Sequence, residues 1–311
     1  MTAAPQAIPA DAVPASWVDH APAGVQPWLR LMRMDRPIGV WLLFWPCVCG
    51  LSLGAAAAGH GLDTWRDAGL VALLAAGAVV MRGAGCTYND IVDRDIDAAV
   101  ARTRGRPIPS GAVKVGAAWA FLAAQCLIGL LILLQLNRYS IGLGASSLLL
   151  VAAYPFMKRI TWWPQAWLGL TFNWGALVGF SAEAGTLALP ALLLYAGCFF
   201  WTLGYDTIYA LQDAEDDALI GVKSTARLFG DAAAGWVAAF YAIALPLIAW
   251  AGHAVLPGPL VLLLLLPAAL QLAWQLVRLR SREADHLGLF RSNREAGFLL
   301  AAALVLSSYA L

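Results

Sequence analysis

The sequence predicts an all-α polytopic membrane protein, with nine transmembrane helices bundled around a central cavity that opens to the cytoplasmic side. Hydrophobic residues make up 61% of the 311 positions and charged residues only 13%, which is too apolar for a soluble domain of this length. Apolar stretches recur along the chain, and nearly all basic residues fall in alternate connections between them. Two acidic motifs close two of these stretches and locate the cavity.

The nine predicted helices are apolar windows, since a membrane helix needs roughly 20 mainly apolar residues. They cover residues 38–58, 70–89, 117–136, 141–156, 165–182, 189–211, 233–251, 259–279 and 297–311. Residues 1–29 are rich in Ala and Pro and lack a positively charged start followed by an apolar core. They are predicted to be a flexible N-terminal extension and not a secretion signal. Residues 30–311 are predicted to form a single transmembrane domain.

Basic residues set the predicted orientation, because Lys and Arg collect in cytoplasmic connections. With the N-terminus placed inside, only Arg66 and Arg138 of the 20 basic residues fall outside, which leaves 18 inside. Because successive helices cross the membrane in opposite directions, the second and sixth helices both end on the cytoplasmic side. We therefore expect a multi-pass protein with a cytoplasmic N-terminus, for which a bacterial inner membrane is the simplest setting.

The first acidic motif, NDIVDRDID, spans residues 89–97 at the end of the second predicted helix. As a helix, it places Asn89, Asp93 and Asp97 at positions i, i+4 and i+8, on one face. A further acid, Asp95, lies off that face. Clustered carboxylates repel one another unless a cation binds them, so this face is a predicted cation site.

The second acidic motif lies in residues 205–217, at the end of the sixth predicted helix. Asp206, Asp213 and Asp217 fall at i, i+7 and i+11, again on one helical face, with Tyr209 between them. Because both motifs end helices on the same predicted side, we expect the two carboxylate faces to converge at one mouth.

Carboxylate oxygens at such a mouth suit Mg²⁺, which usually takes one or two protein carboxylates and completes its shell with water and substrate phosphates. Basic residues on the same side include Arg94, Lys158 and Lys223. A metal together with Lys and Arg suits a diphosphate, whose charge must be held as it leaves. Each of these basic residues, considered alone, is interpreted equally well as one that only keeps its connection on the cytoplasmic side of the membrane.

Other classes of protein fit less well. A formal net charge of +1, without Lys/Arg runs interleaved with aromatics, argues against a nucleic-acid partner. The five cysteines are odd in number and mostly within apolar windows, so they are predicted to be small buried hydrophobes and not a disulfide framework. Ion-coupled transporters also carry intramembrane acids and cations, but here the acids cluster at one membrane face. Protein partners and oligomeric state leave no signal.

The motifs carry a family resemblance. The N-D-x-x-D-x-x-x-D pattern of residues 89–97, the D-x-x-x-D pattern of residues 213–217 and the nine-helix layout resemble the UbiA superfamily of intramembrane prenyltransferases. Four further stretches are LMRMDRPIG at 31–39, RTRGRPIPSG at 102–111, YPFMKRITWWPQ at 154–165 and IGVKSTARLFG at 220–230. Together they are similar to the 4-hydroxybenzoate polyprenyltransferases of ubiquinone biosynthesis.

This resemblance implies a Mg²⁺-dependent enzyme that transfers a polyprenyl group from polyprenyl diphosphate to the 3-position of 4-hydroxybenzoate and releases diphosphate. The implied metal ligands are Asn89, Asp93, Asp97, Asp213 and Asp217, of which the four acids are implied to be catalytic. The implied substrate contacts are Arg94, Lys158 and Lys223 on the diphosphate, Arg33 at the base of the first helix and Tyr209 near the reacting groups. Arg159 is implied to bind the carboxylate of the acceptor and is also counted as catalytic.

Two alternatives stay open at this point. A sister enzyme with another aromatic or lipid acceptor would share the diphosphate half of the site, and prenyl chain length has no signal in the sequence. The small residues Gly169, Gly175 and Gly179 either leave room for the isoprenoid tail or let membrane helices approach closely.

Overall fold

A computed structural model describes residues 16–100, 103–219, 221–256, 258–281 and 283–309, without the side chains of Asp216, Asp217 and Leu219. These residues form α-helices joined by turns, with no β-strand among them, which confirms the all-α prediction. In chain order the helices are α1 (Gln26–Leu31), α2 (Ile38–Ala57), α3 (Trp65–Ala99), α4 (Val115–Leu133), α5 (Arg138–Ile160), α6 (Pro164–Phe172), α7 (Trp174–Ala184), α8 (Leu189–Leu211), α9 (Ala214–Leu219), α10 (Thr225–Phe229), α11 (Ala233–His253), α12 (Leu260–Leu279), α13 (His286–Arg291) and α14 (Asn293–Ser308).

Seven stretches of the described chain are long and apolar enough to cross a membrane: α2, α3, α4, α5, α8, the continuous stretch Thr225–His253 and α12. The predicted count of nine is not confirmed. The fifth predicted window is divided at Asn173 into α6 and α7, and α14, in the ninth window, has only 16 residues. The first half of the predicted extension, residues 1–15, lies outside the described residues. Residues 17–20 form a short 3₁₀ turn before α1.

Asn173 stabilises the break between α6 and α7. Its side chain is fully buried, and its amide nitrogen donates to the carbonyl oxygen of Gly169 at 2.8 Å and to the hydroxyl of Thr202 at 2.7 Å. A helix interrupted inside a membrane frees backbone groups that water cannot satisfy, so neighbouring side chains must bond them. Apolar composition alone carries no trace of this interruption.

The chain divides into two compact units. One comprises the described residues up to Val40 together with Ala76–Ile132, and the other comprises Trp41–Ala75 and the described residues from Leu133 onward. The predicted single domain stays a prediction. The core of the first unit joins α1, the end of α3 and the start of α4, through Leu31, Ile91, Ile108, Val113 and Ala118.

In the second unit, glycines bring α2 and α7 into backbone contact. A side chain at Gly50 or Gly54 would collide with the carbonyl oxygens of Ala176 and Phe180. Gly179 faces the backbone carbonyl of Cys47 in the same way, and Gly175 faces the thiol of Cys47. Of the two roles considered for these glycines, close helix approach is therefore the one found at Gly175 and Gly179.

Buried side chains also bond across helices of the second unit. The indole of Trp201 in α8 donates to Asn293 of α14 at 2.9 Å. Tyr241 of α11 donates to Gln275 of α12 at 2.7 Å, and Gln275 donates to Ser292 at 2.9 Å. Because an unpaired polar group is costly in an apolar interior, these bonds fix how α8, α11, α12 and α14 pack.

Candidate functional site

The first acidic motif occupies the last turns of α3. This helix has 35 residues, which at 1.5 Å per residue gives a length of about 52 Å, well beyond the roughly 30 Å hydrocarbon core of a bilayer. The motif therefore lies on a helical extension, and not in a loop. The predicted window ended at residue 89 because apolarity ends there, but the helix continues to Ala99.

The predicted acidic face is present on this extension. Asp93 is 0% exposed and Asp97 4% exposed, and Asn89 is half-buried. Asp95 is on the opposite side, with 84% of its side chain exposed, and its carboxylate lies 3.5 Å from the guanidinium of Arg94. Arg94 is itself exposed, so the structure places it beside Asp95 on the outer surface of the motif.

Two arginines from other motifs reach this acidic face. Arg33 donates to the carboxylate of Asp90 at 2.5 Å. Arg106 donates to Asp97 at 2.7 Å and lies 3.5 Å from Asp90. The stretches 31–39 and 102–111, which the sequence presents as separate motifs, therefore meet the first acidic motif within one unit.

The local backbone explains how these arginines are placed. Arg33 has a φ of 60°, the only positive φ among the described non-glycine residues, a conformation that is unfavourable for a residue with a Cβ. The buried ion pair to Asp90 offsets that cost. After α3 the chain reverses where the hydroxyl of Thr103 donates to the carbonyl oxygen of Asp97 at 2.9 Å, which brings Arg106 back along the helix.

The second unit joins the two remaining motifs. The backbone nitrogen of Lys223 donates to the carbonyl oxygen of Lys158 at 3.2 Å, and the ammonium of Lys223 donates to the carbonyl oxygen of Ile160 at 3.2 Å. Thr225 donates its backbone N–H to the side chain of Gln165 at 3.0 Å and bonds the hydroxyl of Thr207 at 2.7 Å. The two predicted lysines thus lie together where α5 ends.

Arg159 and Tyr209 occupy different surroundings in this unit. Arg159 is exposed, in the last turn of α5, with its guanidinium carbon 5.9 Å from the centre of the Phe156 ring. Tyr209 is half-buried, and its ring lies 4.5 Å from the ring of Phe290. Basic residues in a last turn also interact favourably with the carbonyl end of the helix.

The second acidic motif differs from the prediction of one continuous helical face. Helix α8 ends at Leu211, and Asp213 lies in the turn before α9. The backbone nitrogens of Gln212 and Asp213 each bond the carbonyl three residues earlier, at 3.3 Å. Asp is favoured directly before a helix because its short side chain competes for backbone groups. The side chain of Asp217 lies outside the described residues.

The donor chemistry of the first motif fits a hard divalent cation. Asp93 and Asp97 supply carboxylate oxygens on its buried face. No group of three or more His, Cys, Asp or Glu side chains in the described part of the chain is arranged to hold a metal by itself. Mg²⁺ takes few protein carboxylates and relies on water and phosphate for the rest.

Sequence reasoning missed several residues of these two clusters. Asp90 was not selected, although Asp90, Asp93 and Asp97 stand at i, i+3 and i+7, which is also one helical face. Arg106 was grouped with the basic residues that follow the first motif on the cytoplasmic side, but it was not selected as a site residue. Gln165 and Thr225 lie in motifs that were noted, but nothing in their types or spacing distinguishes them.

Comparisons with known proteins identify the family of the chain. A family model described as the UbiA prenyltransferase family matches residues 43–294. A protein of Aedes aegypti named "4-hydroxybenzoate polyprenyltransferase, mitochondrial" is 58% identical over 215 residues, which are 69% of this chain and 48% of that protein. A protein of Arabidopsis thaliana with the same name is 47% identical over 295 residues, 94% of this chain and 71% of that protein. The chain thus spans about half of the first relative.

Solved structures show the same fold. The apo structure of a UbiA homolog from Aeropyrum pernix K1 has a TM-score of 0.71 and 27% identity, and covers 85% of this chain and 97% of its own. The structure of a UbiA homolog from Archaeoglobus fulgidus bound to GPP and Mg²⁺ has a TM-score of 0.66 and 18% identity, with coverage of 92% and 100%.

Proposed function

The chain belongs to the UbiA prenyltransferase family, and we propose that it transfers a polyprenyl group from polyprenyl diphosphate to the 3-position of 4-hydroxybenzoate, with release of diphosphate, in ubiquinone biosynthesis. The seven membrane-length stretches among its described residues, together with its family, make it an integral membrane protein. The observation that carries the proposal is the 47% identity, over 94% of the chain, to a relative named for this activity.

The diphosphate half of the proposed site combines residues of the two acidic motifs with nearby basic residues. Asn89, Asp93, Asp97, Asp213 and Asp217 are the proposed ligands of Mg²⁺, which when bound neutralises the diphosphate as it departs. Arg33, Arg94, Lys158 and Lys223 are the proposed diphosphate contacts. The backbone bond from Lys223 to Lys158 at the end of α5 supports this, since it brings two basic residues to one place, where an anion with several charges would be favoured. The exposed position of Arg94 gives it the weakest support.

The acceptor half rests on Arg159. A benzoate is an anion at neutral pH, and entry into a partly dry site requires a paired donor. A planar guanidinium offers a two-pronged fit to a carboxylate. The phenol ring then attacks the prenyl carbon as the bond from that carbon to the diphosphate breaks, and the substituted ring carbon releases its proton to the diphosphate or to water. The ring of Tyr209 is a proposed stabiliser of positive charge on the prenyl carbon.

We place this site on the cytoplasmic side of a bacterial inner membrane, in a cavity between the helices. The distribution of 18 of the 20 basic residues supports the side. The relatives are named as mitochondrial proteins, and the composition of this chain is what favours a bacterial membrane. An ion-coupled transporter has no support from the comparisons.

The proposal is tested in membranes that contain the protein, with Mg²⁺, labelled 4-hydroxybenzoate and prenyl diphosphates of several chain lengths. Labelled prenyl-4-hydroxybenzoate is the expected product. Parallel reactions with homogentisate and with a naphthoate decide between this enzyme and a sister enzyme. Transfer to one of those acceptors, and none to 4-hydroxybenzoate, would overturn the proposed acceptor while it leaves the reaction class standing.

A further inference from the structure

Asp90 is a buried charge that the proposed chemistry does not use. It lies in the first acidic motif, between the proposed ligand Asn89 and the buried Ile91, and it is 0% exposed. One of its carboxylate oxygens accepts from Arg33 at 2.5 Å and lies 3.5 Å from Arg106, and the other is buried without a hydrogen-bond partner. Burial of a charged carboxylate is unfavourable unless cations compensate its charge. The charge of Asp90 therefore strongly favours keeping the two arginines beside it.

Arg106 connects Asp90 to the proposed metal ligands. The same nitrogen of its guanidinium that lies near Asp90 donates to Asp97 at 2.7 Å. A cation that binds Asp97 competes with this guanidinium for the same carboxylate. Released from Asp97, Arg106 still has Asp90 beside it and stays within reach of an incoming anion.

We propose that Asp90 is a positioning residue that holds Arg33 and Arg106 beside the acidic face. In the metal-free protein, Arg106 pairs with Asp97. Once a cation binds Asp97, Arg106 contacts the diphosphate instead. This rests on the proposed function, because it assigns the cation and the diphosphate to this face. Asp90 itself contacts neither. Its effect passes through the two guanidinium groups.

The test compares Asp90→Asn with Asp95→Asn, in the protein purified in detergent. Both substitutions remove one carboxylate from the same motif, but Asp95 is exposed and paired only across 3.5 Å with Arg94. Binding of Mn²⁺ to the protein alone is measured by calorimetry, and binding of a prenyl diphosphate in its presence is measured separately. In Asp90→Asn, we expect Mn²⁺ to bind about tenfold more weakly, because a negative charge is lost near the cation. We expect the prenyl diphosphate to bind about tenfold more weakly as well, because Arg33 and Arg106 lose the carboxylate that positions them. In Asp95→Asn, both affinities are expected to stay within about twofold of the unsubstituted protein.

Arg106→Gln separates positioning from a general loss of structure. Without the guanidinium on Asp97, Mn²⁺ is expected to bind the protein alone several-fold more tightly, while the prenyl diphosphate binds about tenfold more weakly. A merely structural role predicts that both affinities fall together with the melting temperature. Weaker Mn²⁺ binding in a folded Arg106→Gln protein overturns the proposal, as does unchanged binding in Asp90→Asn. If Asp90→Asn does not fold, the test rests on Arg106→Gln alone, in which the affinity for Mn²⁺ should rise and the affinity for the prenyl diphosphate should fall.

These binding measurements need no turnover. Should the transfer assay fail for 4-hydroxybenzoate while the binding pattern holds, the acceptor is wrong and the role of Asp90 stands. If the transfer assay succeeds but the variants do not show the expected changes in binding, the proposed role of Asp90 is wrong and the proposed function stands.

Discussion

The guanidinium of Arg66, at the start of α3, contacts the carboxylate of Glu183 near the end of α7 and also donates to the carbonyl oxygen of Ala182 at 3.2 Å. The side chain of Glu183 is 0% exposed, whereas that of Arg66 is 59% exposed. Arg66 is one of only two basic residues on the predicted outer side of the membrane. Its role as the counter-charge of a buried acid gives a physical reason for this exception to the charge asymmetry.

Arg66→Ala is expected to lower the free energy of unfolding by about 1–2 kcal/mol, because Glu183 loses its cation. The larger penalty of a fully buried pair does not apply, since Arg66 is more than half exposed and water screens it. The melting temperature in detergent measures the effect. Combining Arg66→Ala with Glu183→Gln should recover most of the loss, and the exposed Arg138 provides a control as Arg138→Ala. A double variant less stable than Arg66→Ala would contradict this account.

The contact between α2 and α7 gives a second stability prediction. Gly50→Ala is expected to cost about 3 kcal/mol, at the upper end for overpacking, because the new methyl group meets the backbone carbonyl of Ala176 and not a movable side chain. Gly142→Ala in α5 is the matched control, since nothing lies within 4 Å of a methyl group there. It should be neutral or stabilise by up to about 1 kcal/mol. Equal melting temperatures for the two variants would contradict the packing assigned to Gly50.

The sequence predicted the helices well where apolarity alone determines them. The sixth window, 189–211, coincides with α8, and the all-α class follows directly from composition. It failed at Asn173, because one polar residue in an apolar run does not reveal that a neighbouring helix supplies Thr202 as a bonding partner. It also ended α3 too early, because the arginines that stabilise its acidic end come from distant parts of the chain.

For the candidate site, helical spacing correctly brought Asp93 and Asp97 to one buried face and put Asp95 outside it. The same reasoning assumed a helix through Asp213, where the chain turns instead. Helical spacing predicts which residues share a face only within one continuous helix. The residues around Leu211 have no composition that would predict the end of the helix there. Pairings across long separations, such as Arg33 with Asp90, require the folded structure.

The metal prediction concerns one acid from each motif. Asp93→Asn and Asp213→Asn should each reduce turnover by about a hundredfold or more while the protein stays folded, because an amide cannot supply the anionic charge that a metal needs. The exposed Glu215 serves as the control, in the variant Glu215→Gln. Chelation of divalent cations should abolish turnover of the unsubstituted protein. A rate like that of the unsubstituted protein in either Asp variant would exclude a site built from both motifs.

The orientation prediction uses a reporter that is active only in the cytoplasm. Fusions after Ala101 and after Val222 should be active, and fusions after Thr64 and after Gly252 should be silent, because the basic connections stay inside. Immunodetection of each fusion controls for expression. The reverse pattern would put both acidic motifs on the outer side and remove the argument from the basic residues.

The last prediction concerns the acceptor and Arg159. This residue is exposed at the end of α5, beside Lys158, with its guanidinium carbon 5.9 Å from the centre of the Phe156 ring. Changing Arg159 to Ala should raise the KM for 4-hydroxybenzoate by at least about tenfold, equivalent to roughly 1.4 kcal/mol, and should change the KM for prenyl diphosphate much less. Arg159→Lys keeps the charge but loses the planar two-pronged fit, so it should recover only part of the loss. Lys158→Ala is the neighbouring control, and its larger effect should be on the prenyl diphosphate. If Arg159→Ala instead raises the KM for the diphosphate alone, Arg159 belongs with Lys158 and Lys223, and the benzoate acceptor loses its proposed partner.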